Sequence, residues 1–367
     1  MRITFVATPY PWRPVGALRV VYEYGNRLAA CGHEVTIVHG NCRELGSPPP
    51  RPNGLARRLR SAAYAWRDRL MKPSIRWHVL DSRIRLAYVN EPFPGTIPDG
   101  DAVIASVWGT VGYVRQYPKE KGEKFQLIQG YPVDYGYSQD IVRDAWTAPV
   151  HNILVSKWLY ALAEQMGCPD NRYIPNGIDS KKYRLIRPLV ERPLRVVMLF
   201  HTVECKGSAD GIRALEIARQ KYPRLKAVLF SAQARPADLP PWVEFHFDPP
   251  QDYLVEQIYN GSRIFLCPSW SEGFALPPAE AMACGCALVS TDCGGNLDYA
   301  EHEETALLSP PRNPEMLAAN LLRILDDDAF RVGIAQAGVK RIGQFSWGKS
   351  ATAFEKAIQE SLRQSQP

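Results

Sequence analysis

The sequence predicts a two-domain α/β protein in which each domain is a Rossmann-like layer of parallel strands covered by helices. Three observations carry this. Short apolar runs alternate with amphipathic stretches from the first residues onward, the pattern of strands joined through crossover helices. The rhythm closes near "RYIPNGID" and restarts with "LRVVMLF", so one sheet ends and a second begins. At 367 residues and 46% hydrophobic content, the chain more readily divides into two domains than grows one core. The expected boundaries are 1–178 and 179–345, with a last helix at about 346–367.

In order, "RITFVAT", "ALRVVYEYGNRLAACG" and "HEVTIVHG" read as strand, helix and strand. Gly32 fits the left-handed position that ends the helix, and the unit suits a right-handed parallel crossover. Further strands are expected at "AVIASV", "FQLIQG" and "NILVS", then the helix "KWLYALAEQMG". The second domain runs "LRVVMLF", the helix "ADGIRALEIARQKYP", "KAVLFS", "VEFHF", the helix "QDYLVEQIYNG", "RIFLCPS" and a further helix. "FSWGKSATAFEKAIQESLRQ" follows as a polar amphipathic helix free to pack back on the first domain.

The net charge of +6 is mildly basic, which suits an anionic ligand or surface. Nucleic acid is not expected as a partner, because the basic residues concentrate in one helix and no recognition module is present. The run "MRITFVATPYPW" is ended by prolines rather than built like a signal peptide, and no apolar run reaches the roughly 18 residues of a membrane span. A soluble, cytoplasmic protein is expected. Eight Cys are scattered without zinc-ligand or redox-motif spacing, which predicts reduced, mostly buried thiols and no metal.

Two segments break the rhythm. "GSPPPRPNG" is a Pro-rich loop. Residues 55–70 place Leu55, Leu59, Ala62, Trp66 and Leu70 on one line, with Arg57, Arg58, Arg60, Arg67 and Arg69 mostly off it, a basic amphipathic helix. Such a helix either covers the first domain with a solvated face or docks on an anionic membrane surface or a lipid-pyrophosphate acceptor. Trp66, Arg67 and Trp77 suit the second use.

The stretch "SEGFALPPAEAMACGCALVS" concentrates the chemistry. "RIFLCPS" is a buried strand, "WSEGFAL" the turn at its C-terminal end, and "PPAEAMACG" a helix with prolines in its first turn and Gly285 at its end. In an open α/β sheet this junction binds ligands, because a helix N-terminus offers unpaired N–H groups and a positive dipole end. An anion such as a pyrophosphate would lie on the amides of Gly273, Phe274, Ala275 and Leu276. Glu272 before the turn and Glu280 in the first turn would accept paired hydrogen bonds from vicinal hydroxyls, which sugars and ribose have. Acids in a first turn also simply complement the dipole, and for Glu280 alone that reading suffices.

The spacing Glu, seven residues, Glu in "EGFALPPAEAMACGCALVSTDCGG" resembles the donor-site signature of retaining glycosyltransferases of GT-B fold, family 4. "CGHEVTIV", "VSKWLYALAEQMG" with "YIPNGID", "CKG" and "FSWGKSA" fall in that family's order across nearly the whole chain. "RVVYEYGNRLAACGHEV", "IPDGDAVIAS" and "LIQGY" look most like bacterial transferases adding rhamnose or related hexoses to surface polysaccharides. The resemblance implies two Rossmann-like domains whose sheets face across a cleft, an acceptor-binding N-terminal domain and a donor-binding C-terminal one. It implies that Glu280 grips the nucleotide ribose, that Glu272 and the amides after it hold the sugar and its departing phosphate, and that Lys206, with Gly207 beside it, binds the pyrophosphate.

Three positions depart from the family pattern. His201 stands where the family usually has an Arg, and a histidine is only partly charged near neutrality, so phosphate binding is weaker and pH-sensitive or Arg13 or Arg19 substitutes. "PVGALR" replaces a two-glycine loop, although Gly16 could still let backbone approach phosphates. Ala275 replaces a common second Gly, a change expected to matter little if only its amide is used.

The implied chemistry transfers a glycosyl group from a nucleotide diphosphate sugar to an acceptor hydroxyl with retained configuration, the leaving phosphate oxygen taking the acceptor proton, with no metal and no cofactor. Trp108, Gln129 and Tyr131 end strands of the first domain and are acceptor-side candidates, although aromatics at such edges also simply pack. His33, His39 and His246 read as structural, and Asp326 to Asp328 as a helix cap rather than a cation site. Two alternatives stand beside the transferase: a non-catalytic nucleotide-sugar or protein-binding relative, which His201 favours, and a nucleotide-sugar epimerase or hydrolase, which would dispense with the basic aromatic helix.

Overall fold

The computed structural model describes residues 1–9, 13–42 and 75–365. The Pro-rich loop and the basic helix expected at 55–70 lie outside the described residues. Two compact units form: residues 1–155, 159–175 and 347–367 make unit 1, and residues 156–158 with 176–346 make unit 2.

Unit 1 is a parallel seven-stranded sheet in the order β3-β2-β1-β4-β5-β6-β7. Its strands are β1 (Arg2–Ala7), β2 (Glu34–Gly40), β3 (Arg85–Val89), β4 (Ala102–Ala105), β5 (Glu123–Ile128), β6 (His151–Leu154) and β7 (Asn171–Tyr173). The central strands are apolar runs buried on both faces, as covered parallel strands must be. The edge strands β3 and β7 are half-exposed or exposed throughout, and their apolar pattern is too weak to mark them in the sequence.

Helix α1 (Gly16–Ala30) follows β1, and Gly32 takes φ +87 just beyond its end, the left-handed exit that spares a Cβ penalty. Helices α2 (Gln139–Trp146) and α3 (Lys157–Met166) follow. The final helix α8 (Trp347–Gln364) belongs to unit 1 and packs on α1. Its Phe354 stacks on Phe5 at 6.1 Å between ring centroids and meets Tyr24 at 4.7 Å. Trp347 meets Tyr24 edge-on at 5.5 Å. Both anchors are fully buried, and such an aromatic contributes about 2–3 kcal/mol of transfer free energy. His33 bridges the amino terminus (3.2 Å) and Glu355 on α8 (2.9 Å), a structural role.

Unit 2 is a parallel six-stranded sheet in the order β10-β9-β8-β11-β12-β13. Its strands are β8 (Arg195–Leu199), β9 (Lys226–Ser231), β10 (Val243–Phe247), β11 (Ile264–Cys267), β12 (Ala287–Thr291) and β13 (Ala306–Ser309). Helices α4 (Ser208–Lys221), α5 (Leu276–Ala283), α6 (Pro314–Asp326) and α7 (Asp328–Ile342) cover it. The core joins Val196, Met198, Leu229, Leu266 and Val289 of the strands to Ala214, Leu215, Leu317 and Leu321 of the helices. Residues Leu254–Tyr259 form a wide helical turn. Asp327 caps α7, accepting from the Phe330 amide at 2.9 Å. All eight cysteines are free thiols and six are buried. Among the described residues no helix is long and apolar enough to cross a membrane.

Candidate functional site

In unit 2 the strand order reverses between β8 and β11, so the loops leaving their C-terminal ends diverge and open a crevice where open α/β sheets bind ligands. The loop after β8 carries His201, Lys206 and Gly207, and the loop after β11 carries Ser269, Trp270 and Glu272. The Trp270 amide donates to the Cys205 carbonyl at 2.7 Å and fastens one loop to the other. Lys206 Nζ donates to Glu272 Oε2 at 2.8 Å, and Ser269 Oγ donates to Glu272 Oε1 at 2.9 Å. Both charged side chains are about one-sixth exposed, 16% and 17%. The two residues expected to act together thus meet as an ion pair across 66 positions of sequence.

Gly207 makes this approach possible. It sits at φ +60, and a Cβ there would lie 2.0 Å from the Pro268 carbonyl oxygen. Only glycine lets the α4 N-terminus come so close to the β11 loop.

The turn Gly273–Leu276 is buried and leads into α5. Pro277 and Pro278 have no N–H, so the donors at this helix start are the amides of Leu276 and the residues just before it. Four neighbours hold the turn. The Glu272 amide donates to the Cys293 carbonyl at 2.9 Å. Gly295 presses so closely that a Cβ there would lie 2.5 Å from the Gly273 carbonyl carbon. Tyr299 donates from its hydroxyl to the Ala275 carbonyl at 2.7 Å. Trp158, which belongs to unit 2, donates from Nε1 to the Glu272 carbonyl at 2.8 Å, and its ring lies over Gly294. The Gly294–Gly295 pair was only part of a quoted motif in the sequence; a Gly pair after a strand is the signal that could have marked this close approach.

The geometry corrects three expectations. Glu280 is the fifth residue of α5, not in its first turn, and is buried at 2% exposure; Leu276 opens the helix one residue before the prolines. Complementing the dipole end is therefore not its role. Ala275 takes φ 60 and ψ 70, the left-handed conformation, so the alanine that replaces a common Gly carries backbone strain of about 1–2 kcal/mol.

The third concerns His201. Its Nδ1 accepts the Val203 amide at 3.0 Å, which places the proton of the neutral ring on Nε2. Burial, and then the Lys206 ammonium, hold its pKa below the usual histidine value, against a smaller opposing pull from Glu272. As bonded here, the ring offers Nε2–H as a donor, and the lowered pKa favours this neutral form over the charged one.

In unit 1, Gly16 is the exposed first residue of α1, with open space where a Cβ would stand. Arg13 is exposed and Arg19 half-buried. Trp108 is half-buried and stacks edge-on against Tyr137 at 4.3 Å, and Tyr131 meets Trp146 at 5.7 Å. Gln129 donates from Nε2 to the carbonyls of Ser106 (2.8 Å) and Ala17 (3.1 Å), so its amide hydrogens tie the loop after β4 to the first turn of α1. His39 is buried, donating from Nδ1 to the Thr8 carbonyl at 2.8 Å and accepting Tyr22 at Nε2, 3.2 Å. In unit 2, His246 pairs with Glu244 at 2.6 Å. Among the described residues no group of three or more His, Cys, Asp or Glu side chains is disposed to hold a metal ion.

Over 98% of its length the chain superimposes on all of the Anabaena protein HepE, solved in complex with UDP, with a TM-score of 0.73 at 16% identity. The fold is therefore that of the GT-B glycosyltransferases, two parallel-sheet α/β domains. Residues 187–341 match the family described as glycosyl transferases group 1. The amylovoran biosynthesis glycosyltransferase AmsK of Erwinia amylovora is 30% identical over 196 residues, 48% of each chain. D-Inositol 3-phosphate glycosyltransferase of Corynebacterium efficiens is 32% identical over 113 residues, 31% of this chain and 26% of that one. The chain thus matches between about a quarter and a half of the length of these curated relatives.

Proposed function

We propose that this protein is a retaining glycosyltransferase that moves a sugar, a hexose or rhamnose, from a nucleotide diphosphate sugar to a hydroxyl of a glycan or lipid-linked acceptor in cell-surface polysaccharide synthesis. The observation that carries the reading is the meeting of Lys206 and Glu272 at the switch point of the second sheet, beside the turn into α5. The AmsK relative is named for a polysaccharide pathway, and the HepE neighbour binds UDP; both support it.

In this reading residues 179–345 bind the donor, and residues 1–178 with the helix at 346–367 bind the acceptor. The diphosphate lies on the amides of Gly273, Phe274, Ala275 and Leu276, with Lys206 and the Nε2–H of His201 beside it and Gly207 giving room. A preorganised donor aimed at the charge developing on the leaving phosphate contributes about 3 kcal/mol. Glu272 holds the sugar and Glu280 the ribose. The leaving phosphate oxygen takes the acceptor proton on the face it departs from, so no protein base is required, and the chain's own cation and amides balance charge without a metal. Gly16 stays a donor-side proposal, where its backbone could approach the phosphates; Trp108 and Tyr131 are acceptor-side proposals, with Gln129 acting by holding the loop after β4. The reaction takes place in the cytoplasm, with the protein peripheral to the inner face of the membrane.

A second reading rests on His201. With that residue neutral, Lys206 is the cation that the β8 loop supplies, and Glu272 occupies it; a protein that holds a nucleotide sugar without turnover would have such a site. A donor screen separates the two. Purified protein with metal chelated is mixed with UDP-, GDP- and dTDP-sugars, and thermal shift and nucleotide diphosphate release onto glycan acceptors are followed beside a Glu280→Ala variant. Stabilisation by one nucleotide class, lost in the variant, with release of that diphosphate, supports the transferase. Stabilisation without release moves the binding protein forward, and no shift with any donor overturns both.

A further inference from the structure

Ahead of β8, the chain from residue 181 to 191 runs as an exposed loop broken by two buried residues, Tyr183 and Leu189. Three of the ten large apolar side chains exposed among the described residues fall here: Leu185 (44%), Ile186 (46%) and Val190 (64%). Ordinary surfaces scatter such residues singly, and a cluster marks an interaction surface.

The exposure is imposed by a built scaffold. The fully buried Asn260 accepts the amides of Ile186 (2.8 Å) and Arg187 (3.3 Å) at Oδ1 and donates to the Arg184 carbonyl at 3.1 Å. Arg192, 1% exposed, donates to the carbonyls of Arg187, Tyr259, Ser262 and Cys284 and to Asn260. With its inner side so fully bonded, the loop has no slack to turn its aliphatic groups inward.

The same loop carries Lys181, Lys182, Arg184 and Arg187, all exposed. None of the four forms an ion pair with a carboxylate among the described residues. Arg184 donates to the Lys181 carbonyl and Arg187 to the Gln257 side chain, both neutral. The acids nearby are Glu191 in the loop, Glu256 on the neighbouring helical turn, and Asp179, whose carboxylate accepts the Lys181 amide. Cations outnumber acids within the loop by four to one.

We propose that residues 181–190 dock unit 2 on an anionic phospholipid surface, the cations meeting lipid phosphates while Leu185, Ile186 and Val190 enter the headgroup region. Aliphatic groups held out among unpaired cations are the arrangement of interfacial membrane binders, in which burial and headgroup attraction add. The loop precedes the N-terminal ends of the strands, whereas Lys206 and Glu272 lie beyond their C-terminal ends, so docking here leaves the donor crevice of unit 2 in water. The proposal does not involve the basic segment 55–70 and does not depend on the reaction.

The test is flotation of the full chain with vesicles of phosphatidylcholine alone and of phosphatidylcholine mixed with phosphatidylglycerol. The variants are Arg184→Gln/Arg187→Gln, Leu185→Ser/Ile186→Ser/Val190→Ser, and, as a comparison, Arg57→Gln/Arg58→Gln/Arg60→Gln. Binding is expected only to the anionic vesicles, weakened about tenfold or more by either variant of the 181–190 loop with the melting temperature of unit 2 unchanged. The proposal is overturned if the wild-type chain does not float, or if binding is lost only in the variant at residues 57–60. It is also overturned if the apolar variant alters the oligomeric state and leaves lipid binding intact, which would make the patch a contact between copies.

Discussion

The pairing of Lys206 with Glu272 makes removal of one carboxylate act in opposite directions on binding and turnover. At 2.8 Å the gross attraction is about 6 kcal/mol at an effective dielectric of about 20. The two side chains are only about one-sixth exposed, so desolvation cancels most of this, leaving a net coupling of about 1–2 kcal/mol. At the proposed donor site an incoming diphosphate would compete with Glu272 for the ammonium. Glu272→Gln removes the competitor and keeps an oxygen for Ser269. It should tighten binding of pyrophosphate or a nucleoside diphosphate by about 5- to 30-fold, the equivalent of that coupling, measured by calorimetric titration. If Glu272 holds the sugar as proposed, transfer should fall by about 100-fold or more, because that residue has lost its charge. The single change Lys206→Met should destabilise by about 1–3 kcal/mol, leaving a carboxylate uncompensated, and the double variant should recover most of that loss. Unchanged or weaker diphosphate affinity in Glu272→Gln would refute the competition, since the pair would then not be the resting state of the phosphate site.

Three further outcomes are expected. Gly207→Ala should cost about 3 kcal/mol or more, since a left-handed backbone is combined with a Cβ 2.0 Å from the Pro268 carbonyl oxygen; an urea midpoint within error of wild type would mean the loop has room the structure denies. Burial pushes His39 down to about 4, outweighing its bond to Thr8. Its folded pKa lies below its unfolded value, so its contribution is complete above about pH 6.5 and is lost as pH falls towards 4, by roughly 3 kcal/mol. His39→Gln should flatten the stability profile in that window, and a wild-type slope in the variant would assign the acid loss elsewhere. Trp158→Phe keeps a ring over Gly294 but removes the donor to the Glu272 carbonyl. It should cost about 1 kcal/mol in stability and lower kcat more than it raises the donor KM; a pure KM effect would show that the turn does not need this support.

Local pattern carried much of this protein. The strand–helix–strand opening and the strand, turn and helix around Glu272 were readable because apolar period, Gly exits and prolines at a helix start act within a few residues. The edge strands β3 and β7 were not, because their bonds come from a neighbour rather than from an apolar pattern of their own. The inner strand β12, though fully buried, was absorbed into the motif quoted around it. At the site the residue types were legible and their states were not. Ala275 looked like a neutral replacement until its left-handed backbone was fixed by the turn, and His201 looked partly charged until the Val203 amide took its Nδ1. The sequence by itself determined which elements form and which residues stand at their ends, because those depend on neighbours along the chain. Only the tertiary structure decided that Lys206 meets Glu272, that Gly295 presses on Gly273 and that the last helix joins the first unit, because strand order, which no local period encodes, brings those distant ends together.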